Sequence, residues 1–242
     1  MKILRLIKSN VPNTITCLNL LSGCIATVFA FHYDTLYGSL RGYEMAFIFI
    51  GAATLFDFCD GLAARLLHAY SALGKELDSL SDLVSFGLAP ATLIYSTMAA
   101  NDAGWLAYLA FIVTVFGALR LAKFNIDDTQ RTEFCGLPSP AAGLFCASLG
   151  LLHAEGMLSL PYEAVLLAAA ATAWLMISPI RMFALKFHGF GWTGNRLRYL
   201  FLGACVVLIL TLGAYAIPAI FVLYVVVSLV RWLLQGRRAA EA

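Results

Sequence analysis

The sequence predicts an all-α integral membrane protein, and three observations carry that prediction. Hydrophobic residues fill 61% of the 242 positions and charged residues 12%, against about 45–50% and about 25% in soluble domains. Mean hydropathy is +0.84. Apolar runs of about 20 residues, the length of a helix that crosses a bilayer, recur along the whole chain. The formal net charge of +2 says little as a total; where the charges fall says more. No nucleic-acid partner is expected. The six cysteines show no CxxC or other metal-type spacing and read as small buried hydrophobes.

Residues 1–10 alternate Lys2, Arg5 and Lys8 with Ile3, Leu4, Leu6 and Ile7, the pattern of a short amphipathic helix on an anionic membrane face. Spanning helices are expected near 13–32, 43–66, 79–99, 104–123, 139–154, 162–179, 197–213 and 216–234, about eight in all. The fifth and sixth are short. The last two are joined by a tight turn between Gly213 and Pro218 and read as a hairpin. With the N-terminus inside, fifteen of the sixteen Lys and Arg residues fall on the inner side and only Arg41 falls outside. The positive-inside rule then places both termini in the cytoplasm and favours an even helix count. Three regions follow: the amphipathic segment 1–10, a six-helix core over 11–187, and a C-terminal hairpin with a basic tail over 188–242.

One stretch breaks the apolar pattern. DFCDGLAARLLHAYSALGKELDSLSD, Asp57 to Asp82, puts Asp57, Asp60, Asp78 and Asp82 into or beside spanning segments. A carboxylate at the centre of such a helix costs about 2.5–3.5 kcal/mol, so four cost roughly 10–14 kcal/mol before pairing or depth is counted. Bound cations or a water-filled cavity must offset that. Asp57, Asp60, Gly61 and Ala64 stand at i, i+3, i+4 and i+7 and share one helix face. The two small residues would let a phosphorylated ligand approach the backbone, and Arg65 could pair with its oxygens. Gly74, Asp78 and Asp82 form a second stripe, turned antiparallel to the first by the short link. Four oxygen donors without His or Cys suit Mg²⁺ or Mn²⁺, and two such ions would balance the charge. Two-metal carboxylate sites serve phosphoryl chemistry, but intramembrane carboxylates also line ion pathways. On the spacing alone both readings stand.

The run Asp57-x2-Asp60-Gly61-x2-Ala64-Arg65-x8-Gly74-x3-Asp78-x3-Asp82 resembles the full signature of the CDP-alcohol phosphotransferases, with every position matched. The resemblance implies an integral-membrane enzyme using a CDP-linked donor and a divalent metal, and a homodimer. It implies metal ligation by Asp57, Asp60, Asp78 and Asp82, nucleotide and pyrophosphate binding by Gly61, Ala64, Arg65 and Gly74, and a role for Asp82 as base toward the acceptor hydroxyl. Asn13 is expected either to reach the nucleotide or to cap the first helix.

The signature does not name the acceptor. PNTITCLNLLSG (12–23), VSFGLAPA (84–91), LRLAKFN (119–125) and GLPSPAAG (136–143) resemble the corresponding segments of bacterial and archaeal phosphatidylserine synthases. That resemblance implies CDP-diacylglycerol as donor and L-serine as acceptor, in the cytoplasmic membrane of a prokaryote, with membrane lipid around the chain and the active site facing the cytoplasm. The zwitterion of serine needs a cation for its carboxylate. Arg120, Lys123, Arg131, Arg181 and Lys186 are on the inner side; Arg120, Asn125 and Ser139 are the candidate serine ligands. Inositol phosphate or glycerol phosphate as acceptor, and a carboxylate-lined transporter, are the alternatives. Pro138 and Pro140 are expected to shape the start of the fifth helix.

Overall fold

The computed structural model describes residues 2–126, 134–183 and 191–240, and these are overwhelmingly helical. Arg131 and Lys186 lie outside the described residues. Helix α1 (Lys2–Phe31) and helix α2 (Gly42–Leu67) form an antiparallel hairpin. Two-residue strands β1 (Leu36–Tyr37) and β2 (Leu40–Arg41) close it, with Leu36 opposite Arg41. Arg41 donates to Asp34 at 2.9 Å, and its backbone N–H donates to Glu44 at 2.6 Å, which fixes the start of α2. The segment read as a separate amphipathic helix forms the first turns of α1, which runs on through Pro12.

Helix α3 (Ala72–Asp82), a π-helical turn (Leu83–Leu88) and helix α4 (Ala89–Ala100) form one continuous 29-residue rod. The rod starts seven residues before the spanning segment expected at 79–99, so that it carries the whole Gly74–Asp78–Asp82 stripe, and Ser71 caps it there. The π turn has a local cause. Pro90 has no N–H to give, and its ring crowds the carbonyl of residue 86, one turn back. The Gly87 carbonyl accepts a hydrogen bond from Thr114 Oγ1 at 3.1 Å. A 3₁₀ segment (Gly104–Phe111) leads into α5 (Ile112–Ile126), followed by α6 (Ser139–Ala154) and α7 (Tyr162–Ile177). Strand β3 (Phe134–Cys135) pairs antiparallel with β4 (Arg181–Met182), tying the start of α6 to the end of α7. Pro138 is the N-cap of α6 and Pro140 is in its first turn, as expected. Helices α8 (Trp192–Leu212) and α9 (Ala216–Ala240) turn at Gly213, whose φ of +54° suits glycine. Phe201 meets Tyr224 with ring centroids 6.0 Å apart, as a hairpin requires.

Among the described residues five stretches are long and apolar enough to cross a membrane: Asn10–Phe31, Gly42–Leu67, Ala72–Ala100, Gly104–Ile126 and Asn195–Leu234. Ser139–Ala154 and Tyr162–Ile177 are shorter apolar helices. The chain is a multi-pass membrane protein. The cysteine reading needs correction: Cys146 is buried, but Cys17 and Cys24 face outward. Where the surroundings are lipid, an apolar side chain gains nothing by turning inward.

The centre of the π turn is enclosed, with Ser85, Phe86 and Gly87 all buried. A Cβ on Gly143 of α6 would stand 2.8 Å from the Phe86 Cα, and one on Gly23 of α1 would stand 2.8 Å from the Ser85 Cα. Both helices approach the turn backbone to backbone. Gly143→Ala is therefore expected to destabilise the protein by about 1–3 kcal/mol through overpacking. Gly51→Ala, where nothing lies within 4 Å, should be neutral. Thermal unfolding of both variants in detergent checks this.

Candidate active site

Helix α2 presents Asp57, Asp60, Gly61 and Ala64 along one face, then stops at Leu67. His68 takes a left-handed conformation (φ 50°), and its N–H reaches the carbonyls of Ala64 and Arg65. Three residues later Ser71 Oγ accepts from the Gly74 N–H at 2.9 Å and starts α3. The eight-residue gap between Arg65 and Gly74 is thus a helix stop, a turn and a helix start. Helix α3 is held against α1 rather than against α2. Ser81 Oγ donates to the Thr16 carbonyl at 3.1 Å, and Ser85 Oγ donates to the Asn19 carbonyl at 3.0 Å. Gly74 has no room for a side chain, since a Cβ there would be 2.9 Å from Asn13 Oδ1.

This arrangement leaves a space between α2 and α3 into which the carboxylates project. Ligand oxygens of Asp57, Asp60 and Asp78 lie within 4.8 Å of one another. Asp82 is beside Asp57 but outside that trio. Asp60 is 6% exposed and Asp82 8%, and Asp60 Oδ2 and Asp82 Oδ1 have no hydrogen-bond partner. None of the four is ion-paired among the described residues. Crowded carboxylates with buried lone pairs and no cation of the chain's own fit a hard divalent ion, which oxygen donors select.

A cavity of about 220 Å³ opens beside the trio. It is lined by Asn13, Gly61, Ala64 and Gly74, all expected at the nucleotide, together with Asp60 and Asp78. Gly61 keeps one wall open: a Cβ there would meet only Arg65 Nη2, at 3.8 Å. Arg65 is exposed, and its Nε donates to the Gly61 carbonyl at 2.9 Å. Asn13 is in the interior of α1, so the capping role is excluded by a helix that starts at Lys2. Thr16, Tyr70, Ser71 and Lys75 also line the cavity and were not singled out for it. Thr16 was findable in principle, standing three residues from Asn13 on the same helix face.

The three residues expected at serine do not form one group. Arg120, 8% exposed, donates from Nη1 to Ser139 Oγ at 2.6 Å, and its Nε has no partner. The carboxylates of Asp82 and Asp57 act on it through space, and the Tyr224 phenol is also near. Asn125, a turn further along α5, donates to Ser79 at 3.0 Å and to Glu76 at 3.4 Å, while Lys75 Nζ donates to the Asn125 carbonyl at 2.9 Å. That contact clasps α5 to α3.

The sequence profile described as CDP-alcohol phosphatidyltransferase matches residues 9–180, which span every element of this site. The chain belongs to that family. Among relatives, it is 36% identical over 179 residues to a CDP-diacylglycerol–serine O-phosphatidyltransferase of Bacillus subtilis, covering 73% of this chain and 93% of the relative. A protein of the same name from Mycobacterium leprae is 38% identical over 149 residues, 58% of this chain and 46% of the relative. An archaetidylserine synthase of Methanothermobacter thermautotrophicus is 35% identical over 175 residues, 70% of this chain and 67% of the relative. The chain thus spans nearly all of the first of these and about half of the mycobacterial one. Family members of this kind generally use divalent metals, and the Asp57–Asp60–Asp78 trio supplies ligands of the right chemistry.

Replacing Asp78 by Asn should weaken Mn²⁺ binding by at least about tenfold, by loss of a charged ligand. It should leave the metal-free unfolding temperature unchanged or raised, since one repelling charge is gone. Electron paramagnetic resonance titration and thermal unfolding in chelator test the two halves separately.

Proposed function

We propose that the chain transfers the phosphatidyl group of CDP-diacylglycerol to the hydroxyl of L-serine, releasing CMP and forming phosphatidylserine. The observation that carries this is the complete aspartate signature folded beside a cavity, in a chain whose relatives bear that activity in their names. It is an enzyme of the metal-dependent phosphotransferase class. The transporter alternative has no feature in its favour here.

The aspartates define the reacting end. Asp57, Asp60 and Asp78, with Asp82, would hold the divalent metal, Mg²⁺ or Mn²⁺, in the proposal as two ions. When bound, it polarises the phosphates and stabilises charge on departing CMP. Gly61, Ala64 and Gly74 give the CDP moiety close access to backbone, and Asn13 and Arg65 offer it polar contacts. Lys75, on the same wall, adds a cation for the phosphates. Asp82, buried and with an unpartnered Oδ1, takes the proton of the serine hydroxyl. That oxygen forms a bond to the phosphorus carrying diacylglycerol as the bond to the CMP oxygen breaks. The two hydroxyls on the cavity wall, Ser71 and Thr16, are engaged in helix hydrogen bonds, so a single in-line displacement is the simplest course. Arg120, fixed by Ser139, is the proposed partner of the serine carboxylate. Asn125 retains an unpartnered Oδ1 and is proposed as a secondary contact.

The proposal includes topology: eight crossings, both termini cytoplasmic, in the cytoplasmic membrane of a prokaryote, as a homodimer. The fifteen-to-one cation distribution supports the sidedness. Arg41 is at the α1–α2 turn, the opposite end of that hairpin from Arg65. Green fluorescent protein fused after residue 242 should fluoresce, and an alkaline phosphatase fusion at the same point should be inactive; the reverse pattern would remove this topology.

Radiolabelled serine, glycerol phosphate and inositol phosphate, offered separately with CDP-diacylglycerol, test the acceptor. Serine alone is expected to release CMP, and chelation of divalent ions is expected to abolish the release. Asp82→Asn should still bind CDP-diacylglycerol and lose about 10²–10⁴ in kcat, the usual worth of a general base. A near-normal rate in that variant would remove the role of Asp82 as base.

A further inference from the structure

The face of α1 that runs from Pro12 through Thr16 continues to Asn19 and Gly23, at i+3 and i+7 from Thr16. It is the face against which Ser81 and Ser85 bond. Asn19, whose carbonyl receives Ser85, is three residues beyond Thr16 of the cavity wall, and Asp82 is three residues before Ser85, so Asn19 stands within one helical turn of the level of Asp82. Asn19 has no exposed surface, and neither Oδ1 nor Nδ2 has a hydrogen-bond partner.

That is an unusual condition. Buried side-chain amides are nearly always paired, and each unpaired polar group costs about 1–3 kcal/mol. A leucine has the same branched skeleton of four side-chain heavy atoms and would bring no polar group to be left unpaired. Two further buried atoms are in the same state, Asp82 Oδ1 and Arg120 Nε. Three helices, α1, α3 and α5, thus each contribute a buried polar group with unused hydrogen-bonding capacity: Asn19, Asp82, and Arg120, on which Asp82 acts through space. Together they offer an acceptor of protons, an amide and a guanidinium. Those are the complements of a hydroxyl, an amino group and a carboxylate.

We propose that Asn19 is a specificity-determining residue of the acceptor pocket, its Oδ1 accepting from the amino group of the incoming amino acid while Arg120 takes the carboxylate. This rests on the serine reading above and adds to it the residue that reads the amino group. A buried polar group built to meet a substrate discriminates strongly against analogues that leave it unpaired. 3-Hydroxypropionate, which is serine without its amino group, is therefore the diagnostic competitor.

The test uses the full chain in detergent–lipid micelles with CDP-diacylglycerol, comparing the native protein with Asn19→Leu and with Asn19→Ala, which cannot overpack. In both variants KM for serine is expected to rise about tenfold or more, the worth of a charge-assisted hydrogen bond. The preference for serine over 3-hydroxypropionate should fall by the same factor, and KM for CDP-diacylglycerol should stay within about twofold. Asn19→Leu should unfold at the native temperature or above it. An unchanged serine KM and preference in folded variants would overturn the assignment. So would a joint rise of both KM values with a lowered unfolding temperature, which would mark Asn19 as structural. A native protein inert toward serine would instead overturn the acceptor reading, before any variant is compared.

Discussion

Everything in this fold answers to the repulsion among carboxylates held in an apolar setting. Asp57 is ten residues, about 15 Å of helix, from the end of α2. There, each unpaired charge costs a few kcal/mol. Three carboxylates with oxygens inside 4.8 Å of one another cannot all ionise without a counter-charge. The chain supplies none at contact distance among the described residues: Lys75 bonds to the Asn125 carbonyl, Arg65 to the Gly61 carbonyl, and Arg120 to Ser139. Each nearby cation is engaged, close enough to act through space without closing the site. The destabilisation left in the protein is recovered when a divalent ion binds, so the cost of folding and the affinity for metal come from one source.

Holding such charges apart from lipid needs a scaffold that does not collapse on them. Helices α2 and α3 are adjacent in sequence, and an ordinary helical hairpin would pack them side chain to side chain. Here α1 takes both. Its Thr16 and Asn19 carbonyls accept the Ser81 and Ser85 hydroxyls, and the small residues Gly23 and Gly143 admit the π turn between α1 and α6 at backbone distance. A π turn at a functional site is a recurring device. Here it widens the rod directly after Asp82, and it is the packing of that turn that fixes α3, with Asp78 and Asp82, against α1. The gap between α2 and α3 is thus a consequence of packing elsewhere.

Much of this could be read from the residues. Helical periodicity put Asp57, Asp60, Gly61 and Ala64 on one face, and the structure lines the cavity and the acid trio with them. The turn between Arg65 and Gly74 was foreseen as a reversal. The left-handed His68 and the Ser71 cap that make it were not, because a histidine rarely takes positive φ and nothing local announces it. The start of the third helix was placed too late, since residues 72–78 are polar on one side and a hydropathy reading sees only the apolar part. Asn13 could not be resolved between capping and the cavity until α1 proved to continue back to Lys2. Thr16 follows from Asn13, three residues away on the same helix face; Lys75 depends on which helix faces which, and that is a tertiary fact. Asn125 was expected at the acceptor on the strength of its neighbours in sequence; its contacts to Ser79 and Glu76 belong to helix–helix pairing, which no single-helix pattern encodes.

The C-terminal hairpin bears on the site from outside the family-matched region, which ends at residue 180. Phe221 of α9 stacks on Phe145 of α6 with centroids 3.8 Å apart, and Tyr224 donates to the Phe183 carbonyl at 3.1 Å. Between α6 and the hairpin lies an almost wholly apolar cavity of about 410 Å³, bounded at one end by Pro138, Pro140 and Tyr224. Ser139 stands between those two prolines and accepts from Arg120. The guanidinium is thus bonded to a residue whose two neighbours line that cavity, while Asp82 and Asp57 act on it through space. Charges interact more strongly where water is excluded, and α9 also brings the phenol of Tyr224 close enough to act on Arg120 through space. The four aspartates, the cavity beside them and Arg120 all come from residues 9–180, while α9 of the hairpin beyond packs against α6, which carries the Ser139 partner of Arg120.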